Sequence, residues 1–63
     1  MSALKVIKIA TVKELTTLST ASIYRLIKKG TFPKQIKLAE RSSGWFLEEI
    51  YNWLKDKGNA RND

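Results

Sequence analysis

The chain has 63 residues, with 12 Lys and Arg against 6 Asp and Glu, a net charge of +6 and a pI near 9.9. It contains no Cys and no His, which removes disulfides, thiolate metal sites and the usual neutral-pH proton shuttle. One small domain of this charge favours a polyanionic partner over an enzymatic pocket.

The charge is uneven. Residues 1–38 carry eight Lys or Arg and a single acid, whereas residues 39–63 carry four bases and five acids, so the partner-binding surface is expected in the first two thirds. No stretch approaches the roughly 18 apolar residues of a membrane span, and the N-terminus lacks the apolar core of a signal peptide. The expectation is a cytoplasmic, nucleoid-associated protein with no membrane partner and no cofactor. The domain is expected over residues 1–58, followed by a flexible tail, 59–63, whose largest apolar residue is Ala60.

In chain order, Leu4-Lys-Val-Ile-Lys-Ile9 mixes apolar alternation with β-branching, which predicts a short strand carrying Lys5 and Lys8. Thr11-Val-Lys-Glu14 matches a capping box and predicts a helix from Val12. Val12, Leu15 and Thr16 form its inward stripe, and Thr16-Thr17-Leu18-Ser19 ends it. Ser19 or Thr20 then caps a second helix through Lys29, with Gly30 suited to the left-handed position beyond its end. At 100° per residue, Ile23, Leu26 and Ile27 share one face of that helix. Ala21, Arg25 and Lys28 occupy the other, flanked by Ser22 and Lys29 on one side and Tyr24 on the other.

Thr31-Phe32-Pro33 breaks the helix, Phe32 facing the core. Lys34 to Ala39 alternates, with Ile36 and Leu38 on one face, and Gly44-Trp-Phe46 resumes extended structure. The two runs form a hairpin with Arg41, Ser42 and Ser43 near its tip. A last helix runs from Leu47 to Lys57, with acids in its first turn, lysines in its last and Gly58 beyond. Its buried stripe is Phe46, Leu47, Ile50, Trp53 and Leu54. The fold class is therefore mainly α with a small β-hairpin: three helices plus a wing and a short N-terminal strand.

Two short helices joined by a polar turn, the second basic on its outer face, are the parts of a helix-turn-helix. Helix 20–29 is expected in the major groove, and the wing, about 34–46, on the backbone or minor groove. Ser22 and Arg25 suit base edges, a guanidinium matching guanine O6 and N7 in a bidentate way. Thr20 and Ala21 stand at the helix entry, Thr20 well placed for phosphate. Lys28, Lys29, Lys34, Lys37 and Arg41 suit the backbone, giving affinity without sequence information. Tyr24 can donate its hydroxyl to a phosphate, although its flank position favours packing. Trp45 and Trp53 fall on apolar stripes and are assigned to the core. Glu48 and Glu49, adjacent at a helix start, diverge by about 100° and are no catalytic pair.

The residues Val12-Lys-Glu-Leu-Thr-Thr-Leu-Ser19, Ser22-Ile-Tyr-Arg-Leu-Ile-Lys-Lys-Gly30, Phe32-Pro33, Gly44-Trp45, Glu49-Ile50 and Trp53-Leu54 together resemble the AlpA-like prophage regulators and small excisionases. Their winged helix-turn-helix is similar to the MerR DNA-binding domain. The resemblance covers roughly residues 5–57. The chain departs from it at Thr17, where the family usually has Gly, and at Thr20-Ala21, where a basic residue often stands. What the resemblance implies is a double-stranded DNA partner and a role in transcription regulation or as a recombination directionality factor. It also implies an integrase as protein partner and cooperative self-association on DNA. The alternative is a protein-interaction module acting through the acidic last helix, Glu48, Glu49 and Asp56.

Overall fold

Alternating apolar residues too few to bury a sheet face alone must find cover from helices, and the architecture follows from that need. The computed structural model describes residues 4–61. Its elements are β1 (Val6–Ile7), α1 (Ile9–Thr16), α2 (Thr20–Lys29), β2 (Ile36–Ala39), β3 (Ser42–Phe46) and α3 (Leu47–Ala60). The strands form one antiparallel sheet in the order β1-β3-β2. β3 is thus its centre, and both α1 and α3 pack on it.

The core is the buried set Ile7, Val12, Ile23, Phe32, Trp45 and Ile50. Every element except β2 supplies at least one of them, and the α2–β2 connection supplies Phe32. Ile9, Leu15, Leu18, Leu26, Ile27, Leu47, Trp53 and Leu54 pack around that set, partly buried. The expected stripes of all three helices are therefore the ones that face inward. Phe46 is the exception: it is the extended residue before α3, paired with Val6 in the sheet.

Several boundaries differ from the sequence reading, among them the start of β2, which lies at Ile36 and not at Lys34. α1 begins at Ile9, not Val12, and the Thr11–Glu14 capping box does not form. The chain leaves β1 at Ile7 and turns at once. The Lys8 carbonyl already accepts from the amides of Thr11 and Val12 at 3.0 and 3.1 Å, so Thr11 lies inside the helix and has no cap to make. The N-terminal strand is correspondingly only two residues long. The hairpin turns at Glu40–Arg41, and Ser42 and Ser43 belong to β3, opposite Ala39 and Lys37. A bulge between Lys37 and Ala39 absorbs the odd residue, leaving Leu38 exposed where simple alternation had paired it with Ile36. Finally, α3 continues through Gly58 to Ala60. Gly58 does not adopt a left-handed conformation, so it ends nothing. Residues 62–63 of the expected tail lie outside the described residues.

The helix ends that frame the turn are formed differently. Thr17 closes α1 in the left-handed region, φ 61°, its amide bonded to the Lys13 carbonyl. Thr16 is buried yet satisfied: its Oγ1 donates to the Val12 carbonyl at 2.8 Å and accepts from the Leu18 amide at 3.3 Å. Gly30 closes α2 at φ 81°. There the amides of Gly30 and Thr31 bond the carbonyls of Ile27 and Leu26 at 2.9 and 3.0 Å, the paired-bond pattern of a Schellman motif.

Candidate nucleic-acid interface

The α1–α2 connection is three residues long, Thr17 to Ser19, short enough to hold the two helices in one fixed arrangement. Ser19 is the N-cap of α2, its Oγ accepting from the Ser22 amide at 3.1 Å. Of the two caps the sequence allowed, Ser19 fills the role and Thr20 becomes the first helical residue. Ser22 is half-buried and its Oγ accepts from that of Ser19 at 3.0 Å. Its hydroxyl thus belongs to the helix entry as well as to the outer face.

Ile23 is fully buried on the inner face of α2, while Ala21, Arg25, Lys28 and Lys29 are exposed. Among the described residues the Arg25 side chain has no hydrogen-bond or ion-pair partner, and neither Glu14 nor Glu40 holds it. Its guanidinium therefore keeps its donors for an incoming acceptor. Lys28 and Lys29 stand in the last turn, where the helix dipole also favours them.

Tyr24 is 42% exposed and its ring lies 6.5 Å from that of Trp45 at a tilt of 55°. The body of the ring packs while its edge reaches solvent, and both roles foreseen for it are geometrically compatible. Trp45 and Trp53 are structural. The indole of Trp45 donates to the Pro33 carbonyl at 3.0 Å and that of Trp53 to the Thr31 carbonyl at 2.7 Å. Phe32 sits between these anchors, edge-on to Trp53 with centroids 4.8 Å apart. The segment after α2 is thus tied from β3 on one side and α3 on the other, which sets the hairpin's position relative to α2.

The remaining basic positions divide. Lys37 on β2 and Arg41 at the hairpin turn are exposed on the wing. Arg41 lines a hollow with Tyr24, Ser43 and Lys8. Lys34 lines a different hollow, between the Gly30–Pro33 segment and α3, with Glu49, Asn52 and Asp56; the carboxylates there offset its charge. The pairing of Lys8 with Ser42 escaped the sequence reading. The Lys8 ammonium donates to Ser42 Oγ, joining the start of α1 to the hairpin. The misplaced start of α1 concealed this, because Lys8 reads as a mid-strand residue unless Ile9 is already helical.

Compared with known proteins, residues 5–58 match the family described as Prophage CP4-57 regulatory protein (AlpA). The chain is also similar to the uncharacterized protein ORF88 of Enterobacteria phage P4, 35% identical over 48 residues, or 76% of this chain. The matched stretch spans 54% of that relative's length, about half. No helix among the described residues is long and apolar enough to cross a membrane.

Proposed function

Since this chain belongs to the AlpA family of prophage regulatory proteins, we propose that it is a sequence-specific double-stranded DNA-binding protein. In this reading α2 enters the major groove and the β2–β3 hairpin lies on the backbone or minor groove as a wing. The observation that carries it is the division of α2: Ile23 wholly buried, Arg25, Lys28 and Lys29 exposed, behind a three-residue turn from α1. Arg25 and Ser22 read base edges. Thr20, Lys28, Lys29, Lys34, Lys37 and Arg41 meet phosphates, Tyr24 contributes its hydroxyl, and Ala21 leaves room at the helix entry.

The regulatory output is excision or transcription control of a prophage or integrative element. Fluorescence anisotropy with mixed-sequence and selected duplexes over a range of salt tests the binding itself. Affinity should fall linearly in log–log form with salt, and one sequence should be preferred. Absence of salt-dependent binding to any duplex would overturn the reading.

A second reading concerns protein partners. The hollow beside α3 carries Glu49 and Asp56 next to Trp53 against the single cation Lys34, a net acidic lining that a basic segment of an integrase or of a neighbouring copy on the same DNA complements. Sedimentation with a duplex holding adjacent sites tests it, independent occupancy of those sites counting against self-association.

A further inference from the structure

The pairing of Ile7 with Trp45 has a consequence for the residues beside them. It brings Lys8, at the start of α1, next to the hairpin, where its ammonium donates to Ser42 Oγ. Between them opens a hollow of about 270 Å³ lined by Lys8, Ile9, Tyr24, Arg41, Ser43 and Trp45. Residues of three elements distant in sequence thus line one small volume, two of them basic and two hydroxyl-bearing.

We propose that this hollow seats one phosphodiester group of duplex DNA, shared by Lys8 and Arg41, an assignment that rests on the DNA-binding reading above. The chemistry of the lining is selective for an anion. No carboxylate lines it, whereas the hollow beside α3 carries Glu49 and Asp56, and a third, lined by Ala10, Lys13, Thr17, Leu18 and Ser19, carries Glu14. Two like charges facing one hollow repel each other, and an anion between them relieves the repulsion. The apolar wall of Ile9 and Trp45 excludes water on one side, so the attraction is screened less than at an open surface. Lys8 supplies a point charge, Arg41 a planar fork of donors, and Tyr24 and Ser43 neutral hydroxyls.

A free phosphate offers the same oxygens. The position of the hollow favours the backbone: Tyr24 is adjacent in sequence to Arg25 on α2, and Arg41 is at the tip of the wing. A duplex lying against the outer face of α2 and the hairpin together passes over the gap between them. One phosphate held there fixes the angle between recognition helix and wing without reading sequence.

The test uses the counterion-release slope for a short mixed-sequence duplex, measured for Lys8→Met, Arg41→Met and the double variant. Because the slope counts phosphates neutralised, at about 0.9 per phosphate, a shared phosphate stays neutralised when either cation remains. Each single variant should therefore leave the slope nearly unchanged, and the double should lower it by about 0.9. A loss of about 0.9 in each single variant, doubling in the pair, would overturn the shared seat in favour of two separate phosphates. An unchanged slope in the double would overturn the site altogether. Saturable binding of inorganic phosphate by the protein alone, at matched ionic strength, would overturn the DNA assignment in favour of a free anion. Failure of the unmodified chain to bind any duplex would instead sink the underlying reading. Both side chains are exposed; circular dichroism checks the fold, and the Lys8→Gln and Arg41→Gln pair repeats the test with a polar replacement.

Discussion

The indole N–H of Trp45 donates to the Pro33 carbonyl at 3.0 Å, from a side chain only 1% exposed. One residue thereby fills the core beneath β3 and satisfies the backbone of the segment that leads from α2 into the wing. Trp45→Phe keeps an aromatic ring but removes the donor and part of the volume. The expected cost is about 2–4 kcal/mol, combining an unpaired carbonyl with a partial cavity. Urea denaturation checks it, and a loss below about 1 kcal/mol would show that water or local shifts replace the bond.

Gly44 is required by close approach. A Cβ placed there would lie 2.6 Å from Val6 Cγ1 and 2.9 Å from the Ile7 carbonyl oxygen. The second contact is with backbone and has little freedom to yield, so Gly44→Ala should destabilise by about 1–3 kcal/mol. Gly58, with nothing within 4 Å of a built Cβ and an interior place in α3, should behave oppositely. Gly58→Ala is expected to stabilise by about 0.5–1 kcal/mol. Thermal melts of the two variants should move in opposite directions.

Thr17 holds φ 61° with a β-branched side chain. The left-handed conformation costs such a residue roughly 1–2 kcal/mol, partly offset in a glycine variant by the greater freedom of the unfolded chain. Thr17→Gly should therefore stabilise by up to about 1 kcal/mol, seen as a higher denaturation midpoint with an unchanged slope. A destabilised variant would mean that the Thr17 hydroxyl, which donates to the Thr16 carbonyl, outweighs the strain.

Ser19 caps α2 through the Ser22 amide. Ser19→Ala should cost about 0.5–2 kcal/mol. Ser19→Asp, which keeps an acceptor at the positive end of the helix dipole, should restore stability. The same aspartate would weaken duplex binding by repelling phosphate, so stability and affinity should separate in this one variant.

Arg25 and Lys37 are proposed to act in different ways, and their variants should differ in kind. Arg25→Ala should lower affinity for the preferred duplex by about 1–3 kcal/mol and narrow its advantage over other sequences. Lys37→Ala should weaken all duplexes alike and reduce the salt slope by about 0.9. Anisotropy titrations on matched and scrambled duplexes distinguish them. Equal loss on every sequence for Arg25→Ala would remove it from base reading.

Much of this molecule is legible from local rules. Helix periodicity alone marks Ile23, Leu26 and Ile27 as the inner face of α2 and Arg25 and Lys28 as the outer, because burial of that face needs only a core on one side. Gly30 is likewise readable, and the N-cap of α2 is narrowed to Ser19 or Thr20, since a helix end must satisfy its own backbone groups within one turn. What required the tertiary structure depends on pairings between distant residues. The start of α1 at Ile9 follows from β1 ending at Ile7, and β1 exists only because Val6 and Ile7 pair with Phe46 and Trp45. A capping-box pattern at Thr11 cannot compete with that constraint. The exposure of Leu38 depends on a bulge, which alternation cannot foresee. The meeting of Lys8, Tyr24 and Arg41 around one hollow arises from strand pairing across nearly forty residues, a distance over which no local pattern carries information. Sequence by itself determined which residues are basic and which helix face bears them; only the tertiary structure decided which of those charges converge.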